Sequence, residues 1–176
     1  MEENNDLKKR LQQVKMLILD VDGVMTDGGL LLGESEECKQ FNTMDGAGVK
    51  YLQRAGIRVA IITGRCSGAV ARRAQELGIS DVHQKALKKL PVFEQLLTNY
   101  DLAASEVAYI GDDLPDLPLL IRAGLAIAVA NACPEVKARA MYITTRSGGK
   151  GAIREVAELI LKAQGKWDRI VEGYLE

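Results

Sequence analysis

Short apolar runs alternate with amphipathic segments along most of the chain. The runs include "KMLILDVD", "IRVAIITG", "EVAYIGDD" and "LAIAVA", and segments between them, such as "GAVARRAQELG" and "KLPVFEQLLTNY", have helical apolar spacing. Strands and helices that follow one another through short Gly- or Asp-bearing loops are typical of a parallel sheet with helices on both faces. The pattern therefore predicts a doubly wound α/β fold.

Three further features refine this architecture. Residues 28–42, "GGLLLGESEECKQFN", break the alternation and predict a β-hairpin that projects after the first strand. Residues 165–176 predict a short helix or tail, and a length of 176 residues without a low-complexity linker predicts one domain over 1–176. Left-handed helix ends are expected at glycines that follow amphipathic runs, namely Gly56, Gly78 and Gly124.

Composition excludes several classes of function. The chain has 23 basic and 24 acidic residues without a basic cluster, so we expect no nucleic-acid partner. It has no signal-peptide pattern and no apolar run near the roughly 20 residues of a membrane span, so a cytoplasmic location without membrane contact is predicted. Three cysteines without C-x-x-C spacing disfavour disulfides and zinc. His83 is the only histidine, so acid–base chemistry must depend mainly on carboxylates.

Polar residues stand where the predicted strands end, which is where ligands bind in an open α/β sheet. The set comprises Asp20 and Asp22 after the first strand, Thr63 after the second, Lys89 after the third, and Asp112, Asp113 and Asp116 after the fourth. Two carboxylates about 4 Å apart repel by roughly 4 kcal/mol at an effective dielectric of 20. An oxygen-only ligand set suits Mg²⁺, which proteins often share with a phosphate. The pattern therefore predicts a magnesium site.

The spacing of the first two aspartates favours phosphoryl transfer. A carboxylate can attack phosphorus to form an aspartyl-phosphate, and a second carboxyl two residues on can protonate the leaving alcohol and then activate water. Asp20 and Asp22 have this spacing. Lys89, favoured over the adjacent Lys88, and Thr63 would then neutralise and hydrogen-bond the phosphoryl oxygens.

The same residue types also describe a phospho-accepting receiver domain, a signalling module and not an enzyme. In a receiver the acidic pair opens the chain, a lone aspartate accepts phosphate, and Thr and Lys follow. Here a second acidic pair comes last, and Asp22 stands where a hydrolase needs its acid. A catalytically inactive scaffold is a third alternative, which the complete set of catalytic residue types disfavours.

These motifs resemble those of the haloacid dehalogenase superfamily of phosphatases. "DVDGVMTDG" is similar to its D-x-D motif, "ITGR" to its Thr motif, Lys89 to its lysine motif and "GDDLPD" to its acidic motif. The resemblance implies that Asp20 is the nucleophile, that Asp22 is the general acid/base, and that Mg²⁺ is held by Asp20, the backbone carbonyl of Asp22 and Asp112. It places three supporting residues around this set: Gly64, Asp113 and Asp116.

Cap domains of this superfamily are inserted between the D-x-D and Thr motifs or between the Thr and Lys motifs. Only 40 residues separate Asp22 from Thr63, and 25 separate Thr63 from Lys89. The hairpin and ordinary crossovers fill these spans, so no cap is expected. A bare crevice would leave the intermediate open to water, and we expect a neighbouring subunit to close it.

Over about residues 14–167 the chain resembles the capless members that act on sugar-acid phosphates. The resemblance implies a homotetramer that hydrolyses 3-deoxy-D-manno-octulosonate (KDO) 8-phosphate, in the synthesis of a lipopolysaccharide precursor. Arginine and lysine pair well with the carboxylate and phosphate of such a substrate. The substrate-binding residues implied are Asp22, Asn42, Thr43, Met44, Asp45, Gly46, Lys50, Arg65, Arg73 and Lys89.

The choice of substrate has an alternative. Many enzymes of the eight-carbon acid have "VRDG" where this chain has "TMDG", and "FNT" resembles the phosphatases of the nine-carbon KDN 9-phosphate. Arg65, where those relatives tend to have Glu, favours KDO 8-phosphate. Three roles stay open: Asp27 as a turn residue or ligand, His83 at a strand end or in the site, and the amides of 148–151 as a helix start or an anion site.

Overall fold

The computed structural model describes residues 2–33 and 37–175. The strands are β1 (Met16–Leu19), β2 (Leu31–Leu32), β3 (Glu37–Cys38), β4 (Arg58–Ile62), β5 (Asp81–His83), β6 (Val107–Gly111), β7 (Leu125–Ala128) and β8 (Tyr142–Ile143). The α-helices are α1 (Glu2–Gln13), α2 (Thr43–Arg54), α3 (Gly68–Leu77), α4 (Lys89–Tyr100), α5 (Leu117–Leu120), α6 (Pro134–Lys137), α7 (Ala152–Ala163) and α8 (Trp167–Glu172). Within the described ranges, none of these helices has the length and apolarity needed to cross a bilayer.

Six strands form one parallel sheet in the order β5-β4-β1-β6-β7-β8, which confirms the predicted α/β fold. In β1, Leu19 pairs with Ile61 of β4 on one side and with Ile110 of β6 on the other. The three strands therefore end at the same edge of the sheet. This register brings the residues that follow β1, β4 and β6 to one place.

The apolar sequence of β1 follows from its central position. All four residues of Met16–Leu19 are buried, as expected for a strand with neighbours on both sides and helices over both faces. Helix α7 packs against α2 and buries one side of its surface, including Ile153, Val156 and Ile160. Each apolar side chain so buried contributes about 1.5–3 kcal/mol relative to exposure.

The predicted hairpin forms a separate antiparallel pair, β2 and β3, in which Leu31 lies opposite Cys38. Its turn at 34–36 lies outside the described residues. Between β1 and β4 the structure otherwise contains α2, and between β4 and α4 it contains α3 and β5. The described residues therefore contain no cap domain. Leu30, Leu31 and Leu32 of the hairpin are exposed.

Two local features differ from expectation. Helix α1 was not predicted, yet it buries Leu11, and its Arg10 donates a hydrogen bond of 2.7 Å to the Gly124 carbonyl. Gly78 ends α3 in the left-handed conformation and Gly56 also has a positive φ, as predicted, but Gly124 does not. Glycine is needed at 124 for space, because a Cβ atom there would lie 2.3 Å from the Ser105 carbonyl oxygen.

We expect Gly124→Ala to destabilise the fold by roughly 1–3 kcal/mol, because the methyl group meets backbone that cannot rotate away. Thermal unfolding measures the effect. Gly68→Ala is the matched control, since a Cβ at this first residue of α3 meets nothing within 4 Å. An equal unfolding temperature for Gly124→Ala and the wild type would contradict the crowding argument.

Candidate active site

The strand ends open into a crevice of about 400 Å³. Nine of the predicted site residues line it: Asp20, Asp22, Thr63, Gly64, Arg65, Lys89, Asp112, Asp113 and Asp116. The sheet register explains this convergence, because Asp20, Thr63 and Asp112 directly follow the paired strands β1, β4 and β6. Their chemical roles stay predictions, but their common position is a property of the fold.

Lys89 forms the charged centre of the crevice. It is the first residue of α4, it is buried, and its Nζ lies 2.8 Å from Asp20 Oδ1 and 2.6 Å from Asp116 Oδ1. The adjacent Lys88 is exposed. Burial opposes the charged form of Lys89, but Asp20 and Asp116 outweigh burial and raise its pKa. The lysine is therefore a permanent cation beside the predicted nucleophile.

Asp116 has a supporting role, because both of its carboxylate oxygens accept hydrogen bonds from within the chain. Its Oδ1 accepts hydrogen bonds from Lys89 and from the hydroxyl of Tyr109, at 2.6 Å each. Its Oδ2 accepts from the backbone N–H groups of Asp112, at 2.9 Å, and Asp113, at 3.3 Å. Tyr109 is fully buried and was not singled out from the sequence. With four donors, Asp116 fixes the loop that carries Asp112.

Asp20 and Asp112 fit a hard cation. One oxygen each of Asp20, Asp112 and Asp116 lies within 4.8 Å of the others, and Asp112 Oδ1 is buried without a hydrogen-bond partner. Because Asp116 already accepts four hydrogen bonds, Asp20 and Asp112 are the two side chains that could hold the ion. Their carboxylate oxygens are the ligand type that Mg²⁺ prefers. The carbonyl of Asp22 stays a predicted third ligand.

Burial and mutual repulsion shift both carboxyl groups toward their neutral forms. Burial, assisted by Asp116, raises the pKa of Asp20 to about 6. Burial, assisted by the charges of Asp20 and Asp116, raises the pKa of Asp112 to about 7. Simultaneous ionisation of the two groups is therefore disfavoured, and a bound divalent cation would favour it.

The loop after β1 is shaped to receive Asp112. Gly23 has a φ of +88°, and a Cβ atom there would lie 2.0 Å from Asp112 Oδ2. Asn131 holds this loop: its Nδ2 donates to the Gly23 carbonyl at 3.0 Å, and its Oδ1 accepts from the Gly148 N–H at 2.7 Å. Asn131 was not predicted as a site residue, because no motif connects it to the loop after β1.

The glycine loop 148–151 packs against the loop that follows β1 and is joined to it by hydrogen bonds. Besides the bond from Gly148 to Asn131, the Gly149 N–H donates to the Val24 carbonyl at 2.9 Å, and the Gly151 N–H donates to Asp45 Oδ2 at 3.1 Å. These amides already have partners within the chain. The structure therefore favours the structural role for this loop over the anion site.

Asp22 lies in an ion-pair cluster that joins the crevice to the hairpin. It pairs with Lys39, and its Oδ2 lies 3.8 Å from Arg65 Nε. Glu37 of β3 completes the cluster by pairing with both Lys39 and Arg65. Glu37 and Lys39 were not predicted as site residues. Their separation by two residues in an extended segment, which puts both side chains on one face, was the available signal.

Several of the predicted substrate-binding residues do not line the crevice. Asn42 caps α2, because its Oδ1 accepts hydrogen bonds from the N–H groups of Met44 and Asp45 at 2.8 and 3.3 Å. The buried carboxylate of Asp45 in turn caps α7 and accepts from Gly151 and, at 2.9 Å, from the Arg154 N–H. Thr43 and Met44 are exposed.

The other residues of this predicted group connect α2 and α3. Arg73 Nη2 donates to the Asn42 carbonyl at 3.1 Å and packs against Gly46, where a Cβ atom would meet it at 2.3 Å. Lys50 Nζ lies beside Gly78, at the end of α3. None of these residues lines the crevice among the described parts of the chain.

Asp27 and His83, whose roles the sequence left undecided, both make hydrogen bonds that organise nearby backbone. Asp27 accepts a 3.0 Å hydrogen bond from the Gly29 N–H, which lowers its pKa and shapes the turn into the hairpin. Thr63 is buried, and its N–H donates to the His83 carbonyl at 2.9 Å. His83 thus positions the Thr63 backbone through its own main chain, and it does not line the crevice.

The residues of this crevice define a class of protein. The family model of haloacid dehalogenase-like hydrolases matches residues 78–155, a range that includes Lys89, Asp112 and Asp116. This range is less than half of the chain, but the relatives described next are 43–45% identical over more than nine tenths of it. Together these matches show that the chain is a haloacid dehalogenase-like hydrolase, as its motifs predict.

The relatives are more specific. The 3-deoxy-D-manno-octulosonate 8-phosphate phosphatase KdsC of Escherichia coli is 45% identical over 164 residues, which cover 93% of this chain and 87% of that protein. The structure of the phosphatase from Moraxella catarrhalis in complex with magnesium, phosphate and KDO has a TM-score of 0.94, 43% identity, and coverage of 97% and 98%. The Yersinia pestis enzyme has a TM-score of 0.92, 44% identity, and coverage of 93% and 89%. This chain belongs to their family, the 3-deoxy-D-manno-octulosonate 8-phosphate phosphatases.

We expect Mg²⁺ to stabilise the protein more at about pH 8 than at about pH 5, because protons and the cation compete for Asp20 and Asp112. Because the pKa values of Asp20 and Asp112 are raised, the metal-free fold loses stability as pH rises from about 4 to 7. A bound cation should offset this loss of stability. Thermal unfolding with and without Mg²⁺ measures the increment. Asp112→Asn should abolish most of it, whereas an equal increment at both pH values would contradict the assignment.

Proposed function

We propose that this chain is a magnesium-dependent phosphatase that hydrolyses KDO 8-phosphate to KDO and phosphate through an aspartyl-phosphate on Asp20. The observation that carries the proposal is the crevice itself, where Lys89 neutralises the buried Asp20 while Asp22 lies nearby in an ion-pair cluster. The relative of known structure that contains magnesium, phosphate and KDO supports both the cofactor and the substrate. Because KDO is a precursor of lipopolysaccharide, we place the reaction in that synthesis.

In the first step an Asp20 carboxylate oxygen attacks phosphorus, and the bond from phosphorus to the sugar oxygen breaks. Lys89, Thr63 and Gly64 line the crevice where the transferred phosphoryl group would sit. Preorganised positive charge of this kind stabilises the transition state more than the ground state. Mg²⁺ held by Asp20 and Asp112 would neutralise the negative charge of the carboxylate and phosphate as they approach.

Asp22 moves the protons. Its carboxyl group donates a proton to the leaving sugar oxygen and then accepts one from the water that attacks phosphorus and releases Asp20. Its ion pairs with Lys39 and Arg65 hold the carboxylate at the edge of the crevice. The two-step reaction needs such a general acid/base on the side of the phosphoryl group opposite the nucleophile, where the sugar oxygen leaves and water enters.

We propose a homotetramer in which a neighbouring subunit closes the crevice. The exposed hairpin leucines, which are 45%, 61% and 77% exposed at 30, 31 and 32, form a small apolar strip that a second copy would bury. The position of Asn42–Gly46 outside the crevice of their own chain fits a role in a neighbour's site. Organisation of residues 1–176 as one domain and a cytoplasmic location are parts of the same proposal.

Asp20→Asn should lower phosphate release from KDO 8-phosphate at least roughly a thousandfold, because an amide cannot act as the nucleophile. The unfolding temperature should stay near or above that of the wild type, since the variant removes a buried charge. Asp6→Asn, which removes an exposed pair with Arg10 in α1, is the control and should keep full activity. Substantial turnover by the Asp20 variant would refute the covalent mechanism.

Arg65→Glu should decrease kcat/KM for KDO 8-phosphate relative to KDN 9-phosphate, since Arg65 is the cation at the edge of the crevice and half exposed. Parallel assays of phosphate release from both substrates give the ratio. The nine-carbon alternative predicts that the wild type already prefers KDN 9-phosphate. An unchanged ratio in the variant would mean that Arg65 does not select the substrate.

A further inference from the structure

The cluster of Asp22, Glu37, Lys39 and Arg65 contains two positive and two negative charges. The Lys39 side chain is fully covered, Glu37 is 16% exposed, Asp22 24% and Arg65 48%. The exposed member is thus the guanidinium, and its principal partner is Glu37 of the hairpin. Asp22 has a function in the proposed reaction, whereas Glu37 has none.

Free cations are scarce at this crevice. Among the described residues that line it, only Lys89 and Arg65 have positive side chains. Lys89 is committed to Asp20 and Asp116 at the phosphate end. A substrate with a carboxylate at the far end of its chain therefore has Arg65 as its remaining cationic contact within the crevice, and Glu37 already occupies that group.

Glu37 is an imperfect partner in this cluster. Its Oε1 lies 2.9 Å from Lys39 Nζ, yet this buried oxygen makes no hydrogen bond of good geometry. The positive groups of Lys39 and Arg65 beside it lower the pKa of Glu37, so it is an anion at neutral pH. Among the described residues, β3 pairs with β2 only over Glu37–Cys38, so few strand hydrogen bonds restrict this segment.

We propose that Glu37 occupies the position of the substrate carboxylate on Arg65 and Lys39, and that the carboxylate of the sugar acid displaces it on binding. The exchange replaces one carboxylate by another, so the charge around Asp22 stays balanced. If Glu37 stayed, a third carboxylate would enter beside Asp22 without a cation of its own. The proposal rests on the proposed function, because it assumes a substrate that carries a carboxylate besides its phosphate.

The test is binding of KDO, which has the carboxylate but no phosphate, to the magnesium-loaded protein by titration calorimetry. Glu37→Gln should lower the Kd of KDO by roughly threefold to tenfold, because the competing charge is removed. The Kd of inorganic phosphate should change little, since that anion binds at the Lys89 end. Glu37→Ala is a second variant that also removes the hydrogen bond to Arg65.

Glu106→Gln is the matched control, since it removes another Glu–Lys pair, with Lys15, at the opposite edge of the sheet. An unchanged or higher Kd of KDO in both Glu37 variants would overturn the proposal and would mean that Glu37 orients the cations. A parallel change in the Kd of phosphate would overturn it as well. Wild-type turnover of KDO 8-phosphate tests the proposed function separately, so the two failures are distinguishable.

Discussion

The buried ion pairs of Lys89 are the interaction on which the site depends. Desolvation of a charge is costly, and a buried charge persists only where pairing and hydrogen bonds offset that cost. Three elements supply the partners: the end of β1 supplies Asp20, the start of α4 supplies Lys89, and the loop after β6 supplies Asp116. Each element thus fixes the others, and Asp20, the proposed nucleophile, is held by the same contacts that join these three elements.

This arrangement also explains the need for a metal ion. Lys89 balances one of the carboxylates around it, while Asp20, Asp112 and Asp116 together carry more negative charge than one lysine neutralises. Asp116 is satisfied by four hydrogen bonds, so the excess falls on Asp20 and Asp112. A divalent cation held by Asp20 and Asp112 would restore the balance and would supply positive charge for binding a phosphate.

The floor and the edge of the crevice are built differently. The floor follows the sheet and is supported by Asn131 and the glycine loop at 148–151, through hydrogen bonds in which at least one partner is a backbone group. The edge consists of ion pairs between Arg65, Lys39 and the hairpin. Such pairs exchange partners more easily than a buried backbone network does. Under the proposed function, the chemical step would take place on the rigid floor, and the sugar acid would be recognised at the more adaptable edge.

The sequence predicts the parts of the site that follow from local pattern and sheet topology. Asp20, Thr63 and Asp112 follow apolar strands, so the parallel sheet alone brings them together. Asn131 and Glu37 escaped prediction, because each acts through a partner far away in the sequence. The prediction that Gly124 has a left-handed conformation at a helix end was wrong for the same reason. Glycine is needed at this position because the backbone of Ser105, distant in the sequence, leaves no space for a Cβ atom.

The most direct test of the account is phosphate release by the wild type with Mg²⁺, measured in parallel on KDO 8-phosphate, KDN 9-phosphate and a hexose 6-phosphate. The account predicts the highest kcat/KM for KDO 8-phosphate, and loss of activity on all three when the metal is chelated. Equal activity on the hexose phosphate, or release that persists without the metal, would contradict it.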